Sequence, residues 1–284
     1  QSLSSAASDV YKRQVNGSHE ELDYNHAADM RLLSDPGAFL EALTTVKKTW
    51  HDWFNLQVQR RQTWVQEWSD HIAAESATDL AEGRKMHPLQ LGLDVQAAMN
   101  DGDWLIFDGG NTHFWNEIGV NIAAKRGLKL GGILHPGNYS LLGVGVSFAF
   151  AAKHIHPEKN AVLITGDGAF LSGGLSIEAC FQEKVPIIVI VDNNGGLDCI
   201  SQQQERLFEN GQHYATDFRD IPFHGMFEGM GGHGELVTRR EDFAPAMQRA
   251  TASGKTACIN VKCRGVISPI VAATSDKREK ASIE

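Results

Sequence analysis

The chain has 284 residues, of which 42% are hydrophobic and 21% charged, so it can form one large domain, or one domain and part of another, with a buried core. Its formal net charge of −9 argues against proteins that bind nucleic acid through bulk electrostatics. The sequence contains no run of 18 apolar residues that could span a membrane, and its four cysteines form no CxxC pair. These features favour free thiols in a reducing compartment and a cytoplasmic location.

The first residues differ in character from the rest of the chain. Residues 1–14 lack the apolar stretch of a signal peptide and look like translated sequencing adapter, so we expect a non-native extension and a truncated start. Residues 15–45 carry a short apolar stretch and a turn before a predicted helix at 38–43, and we interpret them as the end of a preceding domain.

Residues 46–87 are polar and aromatic and are predicted to be a helical linker. Trp50, Trp53 and Phe54 lie at helical spacing, which predicts an aromatic stripe on one helix face. A packing face against a neighbouring domain is the favoured interpretation of this stripe, and stacking on a ligand is the alternative.

From Pro88 the pattern alternates between apolar strands and helices, and we assign residues 88–265 to one domain followed by a tail at 266–284. The predicted strands are apolar throughout, as expected where helices cover both faces of a sheet. They lie at residues 104–107, 161–165, 186–191 and 257–261, with helices at 89–99, 142–152, 172–182 and 242–250. This order predicts an α/β fold with a doubly wound parallel sheet.

The strongest motif is Gly166-Asp167-Gly168, followed after 24 residues by Asn193-Asn194. Each half follows a predicted strand, and a helix between them makes the two strands a βαβ unit. Both halves therefore fall at the edge of the sheet where open α/β folds bind ligands.

The residue types of this motif suit a metal-bridged diphosphate. Carboxylate and amide oxygens are ligands that Mg²⁺ prefers, with phosphate oxygens and water completing its coordination. Glycines beside Asp167 allow close backbone approach, and the start of the next helix offers unpaired N–H groups.

This pattern resembles the signature of the thiamine diphosphate (ThDP) enzymes, in which Gly-Asp-Gly is followed at about this distance by Asn-Asn. The resemblance implies that Asp167, Asn194 and the backbone carbonyl of Gly196 bind Mg²⁺. It also implies that Gly166, Gly168 and the N–H of Ala169 contact the diphosphate.

Two further segments are similar to segments of the same family. The loop Asp108-Gly109-Gly110-Asn111-Thr112 is similar to one that touches the diphosphate, which implicates Gly110, Asn111 and Thr112. Residues 138–145 are similar to the segment that supports the bent cofactor, so Leu142 would lie between its two rings and the Ser140 carbonyl would accept its amino proton. Each segment also has a purely structural interpretation, as a turn and as the start of a helix.

The resemblance implies a half-site. In this family the cofactor lies between the diphosphate domain and a pyrimidine-binding domain, which usually belongs to a second subunit and carries the activating glutamate. We find no such domain here, so no catalytic residue is assigned, and a homodimer or homotetramer is expected. Residues 15–45 would be the end of the family's middle domain. Of the histidines, His113 is the leading candidate for a role near the site, because it follows the diphosphate loop.

The implied activity is that of a ThDP- and Mg²⁺-dependent lyase, decarboxylase or carboligase acting on 2-oxo acids or 2-hydroxyacyl substrates. Residues 110–115 and 195–200 differ from the corresponding segments of acetolactate synthases. The loop at 108–112 and the Asn-Asn-Gly-Gly segment at 193–196 look more similar to 2-hydroxyacyl-CoA lyase, oxalyl-CoA decarboxylase and benzaldehyde lyase. An acetolactate synthase-type transferase and a non-catalytic or split-subunit ThDP-binding module stay open as alternatives.

Overall fold

The computed structural model describes residues 13–22, 27–43, 51–139, 141–208 and 210–273. The chain divides into two compact units, residues 1–60 and 61–284. Within the first unit, strands β1 (Arg13–Asn16) and β2 (Met30–Leu33) pair in parallel, and helix α1 (Pro36–Ala42) begins at Asp35, whose carboxylate accepts a hydrogen bond from the backbone N–H of Ala38. Strand β1 thus begins inside the predicted extension, of which residues 1–12 lie outside the described range.

The second unit is built on a six-stranded sheet in which every pair of neighbouring strands is parallel. Its strands are β3 (Trp104–Phe107), β4 (Gly132–Leu134), β5 (Ala161–Gly166), β6 (Ile188–Asn193), β7 (His233–Val237) and β8 (Ala257–Lys262). They lie in the order β4-β3-β5-β6-β8-β7. The chain first moves outward from β3 to β4 and then returns to the other side of β3, so the strand order reverses between β3 and β5.

Helices cover both faces of this sheet. The helices of the chain beyond α1 are α2 (His51–Glu82), α3 (Pro88–Ala98), α4 (Asn111–Ala123), α5 (Gly145–Ile155), α6 (Asp167–Gly173), α7 (Glu178–Gln182), α8 (Asp198–Leu207), α9 (Phe223–Gly229) and α10 (Phe243–Ala252). Short 3₁₀ turns lie at Ala124–Arg126, Gly137–Tyr139, Gly174–Ile177 and Arg240–Asp242. The predicted doubly wound parallel α/β fold is confirmed.

The strand side chains alternate between two apolar cores. Val162 and Ile164 of β5 join a core with α3 and α10, whereas Leu163 joins a second core with α5 and α9 on the opposite face. Burial on both faces explains why residues 161–164 of β5 are all apolar. A third cluster packs residues of α2 such as Ile72 against α3 and α4.

Several predicted boundaries were wrong. The predicted helix at 142–152 begins only at Gly145, because Gly143 has φ +87°, a left-handed conformation outside a right-handed helix. The predicted helix at 172–182 is interrupted after Gly173 by a 3₁₀ turn and is preceded by α6, which starts at Asp167 itself. The predicted strand at 186–191 lies at Ile188–Asn193.

Helix α2 covers residues 51–82 of the segment 46–87 that was predicted to be a helical linker, and its role as a linker stays a prediction. Trp50 of the predicted aromatic stripe lies outside the described residues. Trp53 and Phe54 are largely exposed. Farther along the helix, Trp68 packs edge-on against Trp115 of α4, with the ring centroids 5.7 Å apart.

Candidate functional site

The polar turns that follow the inner strands meet at the carboxyl edge of the sheet. Asp108 follows the last residue of β3, β5 leads directly into Asp167, and β6 ends in Asn193 before Asn194. The strand order reverses between β3 and β5, and the turns that follow these two strands flank the point of reversal at this edge. In open parallel sheets this is the position at which ligands bind.

Asp167 joins the two halves of the principal motif. Its side chain is buried, and Oδ2 accepts hydrogen bonds from the backbone N–H groups of Gly195 (2.8 Å) and Gly196 (3.1 Å). Oδ1 accepts from the N–H of Gly168 at 2.7 Å. Burial raises the pKa of Asp167 to about 7, with a smaller contribution from nearby Asp192, whereas the three backbone donors oppose the shift.

The other predicted residues of this motif surround that carboxylate. Asn194 accepts a hydrogen bond from the N–H of Gly196 through its side-chain oxygen at 3.2 Å. Gly196 forms an isolated antiparallel bridge with Asp217, which holds the loop after β6 against a later segment. Gly168 lies so close to Leu197 that a Cβ atom there would stand 2.4 Å from the Leu197 side chain.

Ala169 is buried in the first turn of α6. Gly166 borders the first loop, since a Cβ atom at Gly166 would lie 3.3 Å from the Thr112 hydroxyl oxygen. The Gly-Asp-Gly turn is therefore in contact both with the loop after β6 and with the loop after β3.

The predicted loop at 108–112 is shorter than expected, because Asn111 and Thr112 already form the first turn of α4. Gly110, with φ +88°, is the residue before that helix. The Asn111 side chain donates to Gln202 Oε1 (3.1 Å) and accepts from the Ser268 N–H (3.2 Å), so its polar atoms are engaged within the protein.

Leu142 lies beside this loop, with Cδ2 3.9 Å from the position that a Cβ atom would take at Gly110. The turn that carries Leu142 is fixed by Asp108, which accepts hydrogen bonds from the N–H groups of Gly143 and Gly145. Ser140 lies outside the described residues.

Sequence reasoning missed the buried carboxylate of Asp192. Thr112 Oγ1 donates to Asp192 Oδ2 at 2.8 Å, while Oδ1 is buried and has no N–H or O–H donor among the described residues. Burial raises the pKa of Asp192, and hydrogen bonds from the Thr112 hydroxyl and the Cys263 thiol oppose that shift. An acidic residue at the end of an otherwise apolar strand was the signal that could have identified it.

Asp198, at the start of α8, is a further missed acid. One of its carboxylate oxygens, Oδ2, is buried without a partner within the described ranges. Burial, together with the charges of Asp192, Glu205 and Asp217, raises the pKa of Asp198 to about 6. The carboxyl edge therefore carries buried acids whose charged forms are disfavoured.

These residues fit a hard cation bound together with a diphosphate. The predicted ligands offer one carboxylate, one amide oxygen and one backbone carbonyl, as Mg²⁺ prefers when phosphate oxygens complete its coordination. A cation beside Asp167 would also stabilise the charged carboxylate that burial disfavours. Within the described ranges no three His, Cys, Asp or Glu side chains meet as ligands of one metal ion, and the predicted set, with a single carboxylate, is not such a cluster.

His113 is buried on α4, and its Nε2 lies 3.2 Å from Glu117 Oε1. Its ring packs against His135, with the centroids 5.0 Å apart. Burial lowers the pKa of His113, while Glu117 acts in the opposite direction. His113 thus contacts Glu117 of its own helix and the ring of His135.

A large groove opens elsewhere in the second unit. It has a volume of about 1210 Å³ and lies between the end of α2, α3 and α10. None of the predicted site residues lines it, and its arginines Arg239 and Arg240 are paired with Asp242 and Asp94.

Comparison with protein families identifies the domain that contains the carboxyl edge. Residues 108–261 match the model of the thiamine pyrophosphate enzyme, C-terminal TPP binding domain. This chain belongs to the thiamine pyrophosphate enzyme family. The matched segment begins at Asp108 and contains Asp167, Asn194 and Gly196, so the loops described above lie within the TPP-binding domain.

Relatives of this TPP-binding chain are enzymes of more than one kind. A probable acetolactate synthase of Mycobacterium bovis is 28% identical over 207 residues, which cover 70% of this chain and 36% of the relative. The 2-hydroxyacyl-CoA lyase 2 of Homo sapiens is 26% identical over 191 residues, covering 64% of this chain and 29% of the relative. The chain thus spans about a third of the length of the curated relatives that it matches.

A solved structure shares the fold of the TPP-binding domain. The thiamine diphosphate-dependent 4-hydroxybenzoylformate decarboxylase of Rhodococcus jostii RHA1 aligns with a TM-score of 0.55 and 24% identity, over 64% of this chain and 33% of its own. In the described part of the chain, no helix is both long enough and apolar enough to cross a bilayer.

Proposed function

We propose that this chain is the ThDP- and Mg²⁺-binding portion of a lyase, decarboxylase or carboligase that acts on 2-oxo acids or 2-hydroxyacyl thioesters. The observation that carries the proposal is the position of Asp167. Its buried carboxylate ties the Gly-Asp-Gly turn to the loop after Asn194 at the carboxyl edge of the sheet. This contact unites the two halves of the motif that the metal and the diphosphate would share.

Each part of the site has a proposed role. Asp167, Asn194 and the Gly196 carbonyl would bind Mg²⁺. The diphosphate would contact two groups of residues, Gly110, Asn111 and Thr112 in one and Gly166, Gly168 and Ala169 in the other. Leu142 and the Ser140 carbonyl would support the two rings. When bound, ThDP supplies a nucleophilic carbon that adds to a carbonyl and holds the electron pair released when a C–C bond breaks.

The contribution of this chain is binding and orientation. The positively polarised N–H groups at the start of α6 and in the glycine turns favour an anionic diphosphate. Gly195 has φ +94°, and a Cβ atom there would meet no other atom within 4 Å, so open space adjoins the backbone beside Asp167. A diphosphate could approach this backbone closely.

The substrate class is proposed from the segments that follow β3 and β6. Residues 110–115 and 195–200 depart from the segments of acetolactate synthases, and the segments at 108–112 and 193–196 look more similar to those of 2-hydroxyacyl-CoA lyases, which favours a 2-hydroxyacyl substrate. The 28% identity to a probable acetolactate synthase supports the alternative, a transferase of that type.

We further propose that a second subunit covers the site with its pyrimidine-binding domain, in a homodimer or homotetramer. Exposed apolar side chains beside the site support this arrangement. They are Tyr139 and Leu141 on the turn before α5, and Leu171 and Leu175 after Asp167. Light scattering on a protein that carries this chain together with the pyrimidine-binding domain tests it, and a stable monomer at every concentration would contradict it.

A cytoplasmic location belongs to the same proposal. Cys180, Cys258 and Cys263 are buried free thiols, and burial raises the pKa of each. Buried unreactive thiols are compatible with a reducing compartment. Fractionation of the source cells tests the location.

The decisive experiment is a thermal-shift titration of the 284-residue chain with ThDP, with and without Mg²⁺. A ligand that binds only the folded state raises the melting temperature as its concentration passes Kd. We expect a rise that requires both ThDP and Mg²⁺ and that is lost in Asn194→Ala.

The control is Asn121→Ala, which removes an amide side chain of α4 that bonds to Arg61 and Glu117, away from the carboxyl edge. This variant should keep the ligand-dependent rise. A wild-type chain that shows no rise with ThDP and Mg²⁺, and none with inorganic pyrophosphate and Mg²⁺, would contradict the proposal.

A further inference from the structure

The Asp108 carboxylate connects two segments of the proposed site that the chain separates by more than 30 residues. Oδ1 accepts from the N–H of Gly143 at 2.9 Å, and Oδ2 accepts from the N–H of Gly145 at 3.1 Å. The adjacent Gly109 N–H adds a bond of 2.9 Å, and the Thr165 hydroxyl shares its proton between Asp108 Oδ2 at 3.3 Å and the Gly166 carbonyl oxygen at 3.2 Å. Asp108 is 1% exposed, and all four of these donors are neutral.

The turn that Asp108 holds has little freedom of its own. Gly143 has φ +87°, and a Cβ atom there would lie 2.7 Å from the backbone nitrogen of Gly173. A Cβ atom on Gly145 would lie 2.8 Å from Asp108 Oδ2. The backbone of the turn is thus pressed between the Asp108 carboxylate on one side and the end of α6 on the other.

The position of Leu142 depends on this arrangement. Leu142 is the residue before Gly143, and it lies 3.9 Å from the Cβ position of Gly110 in the proposed diphosphate loop. Asp108 belongs to that loop and bonds to the turn, so one buried carboxylate sets how far apart the two segments stand. An acceptor with two oxygens can hold both N–H groups, whereas an amide side chain at the same position has one oxygen.

We infer that Asp108 is a positioning residue that fixes the Leu142–Gly145 turn relative to the diphosphate loop, so that the site accepts the ring-bearing cofactor and not merely its diphosphate. This inference rests on the proposed function. It differs from a purely structural role because it predicts that the two parts of the ligand respond differently to a change at Asp108.

The test measures binding by calorimetry with two probes on the 284-residue chain, ThDP with Mg²⁺ and inorganic pyrophosphate with Mg²⁺. In Asp108→Asn we expect the Kd for ThDP to rise at least tenfold, because the displaced turn no longer supports the rings. The Kd for pyrophosphate should stay within threefold, because Asp167, Gly168 and Asn194 are unchanged.

Asp103→Asn is the matched control, since Asp103 is also a buried acceptor of backbone N–H groups but lies at the other end of β3. It should lower the melting temperature and leave both affinities within threefold. Thr165→Val, which removes the hydroxyl shared by Asp108 and the Gly166 carbonyl and keeps the charge of Asp108, should show the same selective loss as Asp108→Asn to a smaller extent. This milder variant gives the answer if Asp108→Asn does not fold.

Each outcome has one meaning. A selective loss of ThDP affinity supports the inference. An equal loss of ThDP and pyrophosphate affinity in Asp108→Asn or Thr165→Val overturns it, because Asp108 would then shape the diphosphate-binding loops themselves. Unchanged affinities for both probes also overturn it. A wild-type chain that binds pyrophosphate no more weakly than ThDP overturns it as well. A wild-type chain that binds neither probe instead removes the proposed function.

Discussion

The two edges of the parallel sheet use buried aspartates in different ways. At the amino edge, Asp103 accepts the N–H groups of Asn100 and Asn160 and the side-chain amide of Asn160, so both oxygens have partners. At the carboxyl edge, Asp108 and Asp167 also have donors to both oxygens, whereas Asp192 and Asp198 each leave one buried oxygen without an N–H or O–H donor among the described residues. A carboxylate with a full set of donors stabilises a turn, whereas a buried oxygen without one costs free energy.

This difference indicates which edge is built for a ligand. The acids of the carboxyl edge lie in or beside glycine turns, and burial raises the pKa of Asp167, Asp192 and Asp198. A protein maintains such acids at a cost in stability unless a cation offsets it. The comparison therefore predicts that substitutions at the two edges separate stability from binding.

The largest expected effect is that of Asp167→Ala. Mg²⁺-dependent binding of ThDP should disappear, because this carboxylate is the only formal negative charge in the predicted ligand set. At a ligand concentration a thousandfold above Kd, the wild-type chain gains about 4 kcal/mol of stability from binding, and the variant should gain none. Thermal-shift titration measures this gain.

The matched substitution at the other edge is Asp103→Ala. It should lower the melting temperature of the free chain, since it leaves the Asn100 and Asn160 N–H groups without their acceptor. The ligand-dependent gain should stay at the wild-type value. If the ligand-dependent gain in stability vanished in both Asp167→Ala and Asp103→Ala, the two edges would not differ as proposed.

The sequence predicts some strands of the sheet better than others. The apolar runs of β5 and β8 were located within one residue of their observed bounds, because burial on both faces leaves a clear pattern. Strand β4 has only three residues, and β7 contains His233 and Glu235, which form an ion pair, so neither has an apolar run to recognise. Both were missed.

The residues of the candidate site also differ in how well the sequence predicts their roles. Asp167 and Asn194 could be assigned because their spacing matches a known motif, and the structure brings the two segments together. The roles of Asp108 and Asp192 could not be assigned from the sequence. An acid at the end of a strand can point toward solvent or into the protein, and only its hydrogen bond with Gly143 or Thr112 decides which. Long-range partners of this kind leave no periodicity in the sequence.

An intermediate effect is expected in the pH dependence of stability without metal. The pKa of Asp167 is about 7 in the folded chain against 3.8 for the free side chain, so between these values the folded state binds more protons than the unfolded state. The free energy of unfolding should then fall as pH rises from about 4 to 7, by at most about 1.4 kcal/mol per pH unit, and level off above.

Asp167→Asn isolates this contribution, since it keeps the shape of the side chain and removes the titration. The wild-type minus variant difference in unfolding free energy, from denaturant titrations without Mg²⁺, should slope downward over that range. Saturating Mg²⁺ and ThDP should abolish the slope, because a bound cation favours the charged carboxylate. A metal-free difference that is flat with pH would show that Asp167 is not disfavoured by burial.

The smallest effect concerns a residue that the sequence assigned to the cofactor. The Thr112 hydroxyl donates to buried Asp192, whose other oxygen has no partner among the described residues. Thr112→Val should therefore cost about 1 to 2 kcal/mol of stability, as expected for a buried acceptor that loses its donor. Its ThDP affinity should change less than threefold, because the hydroxyl donates to Asp192 and Thr112 would contact the diphosphate through its backbone. Thr112→Ser should restore the stability. A tenfold loss of affinity with unchanged stability would mean that the hydroxyl serves the ligand, and that Asp192 tolerates its burial without a donor.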